Sequence, residues 1–271
     1  MNRPGRVAQP LYARSFGTGP RDVLALHCTM AHSGAWRGLA EAMAGEVTIH
    51  ATDMLNHGRS PDWDGQGDFQ QAVLEGVAAH LDRRMDVVGH SFGATVALRL
   101  AVAYPERIRS LTLIEPVYFA VARQDAPQLV ADHDADARDY IAALAARNDA
   151  LGARLFNRMW SDGGPRWPDL PESKRAAMIR GIHVIPFCNP ALYDDRPGML
   201  KPGVLARVTA PAVLLRGSRT HPVIAAINEG LARRLPDARS HVIDGAAHMV
   251  PITHPEATAA HLRALFARAP L

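Results

Sequence analysis

The stretch Val87-Val88-Gly89-His90-Ser91-Phe92-Gly93-Ala94-Thr95 decides how this chain is read. A β-branched apolar run ends at Gly89, the chain turns over Ser91, and a helix-forming series runs from Ala94 to Ala103. The pattern G-x-S-x-G carries meaning when a strand precedes it and a helix follows. The sharp strand-to-helix turn holds the central residue in a strained conformation and lifts its side chain above the sheet edge. Flanking glycines let neighbouring backbones approach where a Cβ would obstruct them. Ser91 is therefore a candidate nucleophile, and the rest of the chain is searched for its partners.

Upstream, Leu11 to Phe16 reads as an edge strand closed by Gly17-Thr18-Gly19-Pro20, and Asp22 to His27 as a short buried strand. Apolar residues at helical spacing span Trp36 to Ala44. Val47 to Asp53 is a strand that empties into the polar loop Asp53 to Pro61, and Phe69 to Leu81 is an amphipathic helix. Downstream, Pro105 marks the end of the helix after Ser91, and Ile108 to Ile114 is a buried strand running into Glu115-Pro116. Strands and helices alternating at this spacing predict a mostly parallel sheet with helices on both faces.

The alternation breaks from Val117 to about Leu205. Ala137 to Trp160 is alanine-rich and helical in pattern, a loop with proline and tryptophan runs from Gly163 to Pro171, and a helix spans Glu172 to Ile182. A helical insertion between sheet strands predicts a cap over the carboxyl edge of the sheet, where ligands sit in open α/β folds. The expected division is a core of residues 1–116 and 206–271 with a cap of 117–205. The sheet resumes with Ala212 to Arg216, followed by a helix from Val223 to Leu235, a last strand at His241 to Ile243 and a terminal helix from Pro255 to Ala267.

A serine hydroxyl needs a base within hydrogen-bond reach, an acid to orient that base, and donors for the oxyanion. Among thirteen histidines, His248 follows the final strand in the glycine-alanine loop Asp244 to Pro251. Nucleophile first and histidine after the last strand is one of the known chain orders for such a site. His27, His57, His90 and His254 are weaker candidates by position. A carboxylate directly after a buried strand needs a partner if it is buried. Glu115 meets that condition at the same sheet edge, with Asp244 or a serine–histidine dyad as the alternatives.

Four blocks in this order, His27-Cys28-Thr29, Asp53 to Ser60, Gly89 to Gly93 and Gly245 to Pro251, resemble the α/β-hydrolase superfamily over nearly the whole chain. The resemblance implies an α/β-hydrolase fold and a lipase- or esterase-like serine hydrolase beneath a helical lid. It implies an oxyanion hole made by the backbone N–H groups of Phe92 and Thr29, although Cys28 stands where the family usually has glycine. In most members the acid follows the strand after the cap, yet Gly217 to Pro222 holds no carboxylate and Thr220 takes its place. Some members, certain haloalkane dehalogenases among them, carry the acid at the position of Glu115. Serine at residue 91 argues against dehalogenase and epoxide-hydrolase chemistry. A carbon–carbon bond hydrolase, a thioesterase, a haloperoxidase-like activity and a small-molecule-binding protein with little turnover remain open on the same residues. Trp36, Phe119, Trp160 and Met249 are candidate pocket walls, and Asp53 and Arg59 read as a turn held by local hydrogen bonds.

A length of 271 residues, 48% hydrophobic and 21% charged, fits one soluble α/β domain. The net charge is +3, the cations are nearly all scattered arginines, and Lys174 and Lys201 are the only lysines, so a nucleic-acid footprint is not expected. No apolar run reaches the length of a membrane span, and Met1 to Arg14 has no signal-like core. Cys28 and Cys188 are expected to be free thiols of a cytoplasmic protein, with a single bridge between them as the alternative. No metal-ligand spacing or dinucleotide fingerprint is present, so neither a metal nor a cofactor is expected. The expected partner is a small-molecule substrate.

Overall fold

Runs of β-branched and aliphatic residues between turn signals become the strands of one sheet in the computed structural model, which describes residues 9–161 and 164–271. Residues 1–8, within the segment read as lacking a signal, and Gly163, where the proline- and tryptophan-containing loop begins, lie outside the described residues. The chain forms β1 (Ala13–Phe16), β2 (Arg21–Leu26), α1 (Arg37–Ala42), β3 (Val47–Thr52), α2 (Phe69–Ala78), β4 (Met85–His90), α3 (Phe92–Ala103) and β5 (Ile108–Ile114). Five helices follow: α4 (Phe119–Asp125), α5 (Pro127–Ala145), α6 (Asp149–Trp160), α7 (Glu172–Ile182) and α8 (Ile185–Leu192). The chain then returns through β6 (Ala212–Gly217), α9 (Pro222–Arg234), β7 (Ala238–Ile243), α10 (Val250–Thr253) and α11 (Pro255–Arg268).

The seven strands of the described residues lie in the order β1-β3-β2-β4-β5-β6-β7. Only β1 is antiparallel to its neighbour, and the other five pairings are parallel. The strand period of two sorts the core onto both faces. Leu24, Leu26, Val87, Leu111, Leu113 and Leu214 pack with residues of α2, α3, α9 and the inserted helices. Val23, Ala25, Val88, Ile114, Val213 and Leu215 pack with residues of α1 and α11. Central strands buried on both faces explain why β4 and β5 read as nearly unbroken apolar runs. No helix among the described residues is long and apolar enough to cross a membrane.

Four details differ from the sequence expectation. The helical pattern from Ala137 to Trp160 belongs to two helices, because the chain turns at Arg147 (φ 56°) and Asn148 caps α6 by accepting from Leu151 N–H. Helices α4 and α8 lack a sequence signal strong enough to read: one is short, and the other carries Pro190 inside it, a residue that removes a helical donor. β7 begins at Ala238, three residues earlier than the pattern suggests, since its outer positions are polar and only half-buried. Trp36 is the fourth. It is not a pocket wall: it is 1% exposed and packs with Leu39, Met43 and Val250 on the α1–α11 face of the sheet. Helical spacing identifies a buried side chain without telling which layer buries it.

Candidate active site

β4 delivers Ser91 to the carboxyl edge at the centre of the sheet. Its backbone sits at φ 56° and ψ −118°, outside the regions an ordinary residue adopts, and its N–H donates to Ile114 O at 2.8 Å. Strain of this kind persists only where the surroundings impose it. Two glycines allow them to do so. A Cβ at Gly89 would lie 2.3 Å from Gly93 O, and one at Gly93 would lie 2.3 Å from Leu26 O, so α3 packs directly onto β4 and β2.

The loop after β7 brings His248 over the nucleophile. His248 Nε2 lies 3.0 Å from Ser91 Oγ, and Nδ1 lies 2.9 Å from Glu115 Oε2. All three groups are sheltered: Glu115 is 0% exposed, His248 5% and Ser91 6%. A carboxylate only accepts, so its partner is Nδ1–H, and Nε2 is left with its lone pair toward Ser91. The His248 backbone is pinned as well, because His90 Nε2–H donates to His248 O at 2.8 Å. The Trp160 ring, 4.3 Å from the imidazole centroid to centroid, closes the site from the inserted helices.

Glu115, at φ 52°, makes its own sharp turn beyond β5, and its N–H donates to Leu215 O. Its Oε1 accepts from Gly217 N–H at 2.7 Å, and Oε2 accepts from the Thr220 hydroxyl as well as facing His248. Three donors therefore meet a fully buried carboxylate, which is what burial of a charge requires. Thr220, in the loop after β6, thus donates to the carboxylate that ends the neighbouring strand β5. Asp244, the alternative acid, instead accepts from Ser218 Oγ.

Across the elbow, Cys28 to Ala31 forms a tight turn, closed by Ala31 N–H donating to Cys28 O, with Met30 at φ 63°. No hydrogen bond among the described residues uses the N–H of Thr29 or of Phe92. Cys28 itself is absent from the residues with positive φ, so its position makes no demand that only glycine could meet. Burial pushes its thiol up to about 12, which leaves it protonated and unreactive, and both cysteines are free and buried.

Three histidines around this edge are buried and neutral. His27 donates from Nδ1 to Cys28 O and accepts at Nε2 from Met54 N–H, and burial lowers its pKa to about 4. Burial likewise lowers His57 and His90 to about 3. Sequence position ranks these below His248 as bases; their hydrogen bonds to backbone are contacts that no local pattern announces. Asp53 accepts from Ser33 N–H at 2.6 Å and from Arg59 N–H at 2.8 Å, so it holds the loop together, as its place in a turn suggested.

Two cavities meet at Ser91, sharing Thr29, Phe156 and Trp160 as walls. One, about 430 Å³, runs beneath the inserted helices between Phe119, Tyr140, Cys188 and Tyr193, with Phe92 at its base. The other, about 700 Å³, opens between Met30, Met178, Met249 and Ile252. Of the four expected pocket residues, Phe119, Trp160 and Met249 line a cavity and Trp36 does not. No group of three or more metal-ligating side chains is assembled among the described residues.

Residues 23–261 match the model of the alpha/beta hydrolase family. Lipase LipV of Mycobacterium tuberculosis is 32% identical over 264 residues, covering 93% of this chain and 96% of that protein. A pimeloyl-[acyl-carrier protein] methyl ester esterase of Chromobacterium violaceum is 28% identical, covering 90% and 93%. Among solved structures, the enol-lactonase of Burkholderia xenovorans superposes with a TM-score of 0.72 at 17% identity, covering 95% of this chain and 96% of that one, a likeness of fold alone. With the elbow, the sheet order and the family match in agreement, the chain belongs to the alpha/beta hydrolase family.

Proposed function

We propose that this protein is a serine hydrolase that cleaves a carboxylic ester through an acyl-enzyme, with Ser91 as nucleophile, His248 as base and Glu115 as the acid that orients it. The observation that carries this reading is the continuous chain Glu115–His248–Ser91, at 2.9 and 3.0 Å, ending beside the N–H groups of Thr29 and Phe92, which have no hydrogen-bond partner among the described residues. The lipase and methyl ester esterase relatives support the same chemistry.

In this reading His248 Nε2 takes the hydroxyl proton as Ser91 Oγ attacks the ester carbonyl. Glu115 stabilises the imidazolium that forms, and its hydrogen bond keeps Nε2 directed at the serine. The carbonyl oxygen becomes an oxyanion held by the N–H groups of Phe92 and Thr29, fixed donors that need no reorganisation as charge develops. His248 passes its proton to the leaving alcohol, then activates a water that releases the acid. The two cavities on either side of Ser91 suit the two halves of an ester, acyl and alcohol. Residues 117–205 act as a cap over a core formed by 1–116 and 206–271, and the substrate is a small molecule. A cytoplasmic location fits two free buried thiols.

The test is labelling by a fluorophosphonate together with hydrolysis of a p-nitrophenyl ester. Wild-type protein is expected to be labelled at Ser91 and to turn over, and Ser91→Ala to lose both. Hydrolysis that persists in Ser91→Ala, or a wild type that is neither labelled nor active, sinks the reading.

A further inference from the structure

The turn that carries Thr29 is not self-supporting. Met30 occupies the left-handed region at φ 63°, where a non-glycine side chain is unfavourable, and its N–H would lack an intraturn partner. That N–H donates to His57 Nε2 at 3.0 Å. His57 Nδ1 faces Leu55 O at 2.8 Å, and a carbonyl can only accept, so the proton sits on Nδ1 and Nε2 is free to accept. The ring is 3% exposed, and burial disfavours its charged form, which keeps it an acceptor. The peptide that carries the Thr29 N–H, Cys28–Thr29, is held at Cys28 O by Ala31 N–H and His27 Nδ1–H, and the next one, Thr29–Met30, is held by His57 through the Met30 N–H.

Helix α7 of the insertion rests on the same imidazole. A methyl group at Gly181 would lie 2.9 Å from His57 Nε2 and 3.4 Å from Met30 Cα, so glycine there permits the helix to touch both. The preceding residue, Arg180, fastens the helix to the loop holding His57: its guanidinium donates to Gly58 O, Ser60 O and Asp62 Oδ1 at 2.8, 2.6 and 2.8 Å. Asn56 Nδ2 meets His183 Nε2 at 3.2 Å just beyond the helix. Loop 53–62, the Cys28–Ala31 turn and the end of α7 form one packed unit.

We infer that His57 is a positioning residue for the oxyanion site, and that α7 braces it through Gly181 and Arg180. The inference rests on the ester-hydrolase reading, because it assigns to the Thr29 N–H the task of stabilising the oxyanion. His57 touches no substrate in this arrangement. It fixes the Thr29–Met30 peptide, whose rotation would swing Thr29 and redirect the N–H on its other side, a donor needed only once the carbonyl oxygen becomes negative.

Three variants test it: His57→Phe, which fills the space without an acceptor; His57→Gln, whose amide accepts from Met30 and donates to Leu55; and Gly181→Ala, which displaces the ring while removing no polar group. The readouts are kcat and KM for a p-nitrophenyl ester, affinity for a phenylboronic acid that mimics the tetrahedral intermediate on Ser91, and thermal midpoint. Losing one oxyanion donor costs roughly 100- to 1000-fold in kcat, so a misdirected one is expected to cost His57→Phe roughly 30- to 100-fold. KM is expected to stay within about twofold, with boronate affinity falling alongside kcat, the signature of an interaction made in the transition state. His57→Gln restores kcat to within about fivefold of wild type, and Gly181→Ala loses roughly tenfold with the same split. His57→Phe with wild-type kcat and boronate affinity overturns the inference, as does a loss that His57→Gln does not relieve. If His57→Phe does not fold, Gly181→Ala decides by the same readouts, an unchanged kcat counting against the inference. Wild-type turnover is measured in the same series; its absence removes the ester-hydrolase reading and this inference with it.

Discussion

Histidines stand on both sides of the elbow, and they do opposite things. Toward β5 and β6, His248 meets a carboxylate on one nitrogen and a hydroxyl on the other, the partners needed to move a proton. Toward β2 and β3, His27 and His57 meet only backbone, each donating to a carbonyl and accepting from an N–H. The residue type is shared, and the partners decide the role. On the proposed reading, one side of the site changes charge during the reaction, while the other holds backbone groups still and stays neutral.

Removing the carboxylate erases that difference at its root. Glu115→Gln leaves the shape of the site and takes away the charge that stabilises a protonated His248. Loss of the acid in serine proteases costs roughly four powers of ten in kcat, and a fall of about that size is expected here with little change in KM. A steady-state assay on a p-nitrophenyl ester measures it. Near-normal turnover in Glu115→Gln would break the comparison and move the acid elsewhere. A further change, Thr220→Asp on that background, sharpens it: Thr220 already touches Glu115, so partial recovery would mean that reach to His248 matters more than which strand supplies the carboxylate.

The neutral histidines of the site, His90 among them, have their own signature in stability. Unfolded, these histidines titrate near 6.5; folded, His27 is held down to about 4 and His57 and His90 to about 3. Their neutral packing is therefore fully tolerated above pH 6.5. As pH falls from 6.5 toward 4, the unfolded chain binds protons that the folded protein refuses, and each histidine lowers stability by about 1.4 kcal/mol per pH unit. Together the three give a slope of about 4 kcal/mol per unit, steep against the 5–15 kcal/mol of a typical domain. Urea titrations between pH 7 and pH 4 would reveal it, and His57→Gln is expected to flatten the slope by roughly a third. A stability that does not change over that interval would mean that the histidines are not held neutral by the fold.

Much of this arrangement is legible in the amino-acid sequence, and the illegible parts share a cause. Ser91 announces itself because glycines at 89 and 93 and a strand-helix switch are local features. Glu115 can be inferred because a carboxylate ending a buried strand demands a partner, and Thr220 standing in the usual acid loop points the search to it. The role proposed for His57 is invisible by comparison. It arises from a contact with Met30, 27 positions away, and from a helix end more than 120 positions away. Trp36 misleads for the same reason. Its spacing predicts burial correctly, but the choice between the site and the opposite face of the sheet is made by packing of α1 against α11, which local pattern does not encode. Helices α4 and α8 are too short, and α8 too proline-rich, for periodicity to reveal them.

Thr220 gives the smallest and most discriminating prediction. Its hydroxyl reaches Glu115 Oε2, the same oxygen that faces His248 Nδ1, so two donors share one acceptor atom. In Thr220→Val the shape is nearly conserved and one of three donors to a buried carboxylate disappears. A hydrogen bond to a charged group contributes about 1.5–3 kcal/mol, and the proton remaining on His248 Nδ1 recovers part of it by bonding more strongly. A loss of about 1.4 kcal/mol in the transition state corresponds to roughly tenfold in kcat, the upper end of what is expected. A Thr220→Val kcat equal to that of wild type would make the threonine a space-filling residue, and Glu115 would then hold His248 without help from its hydroxyl.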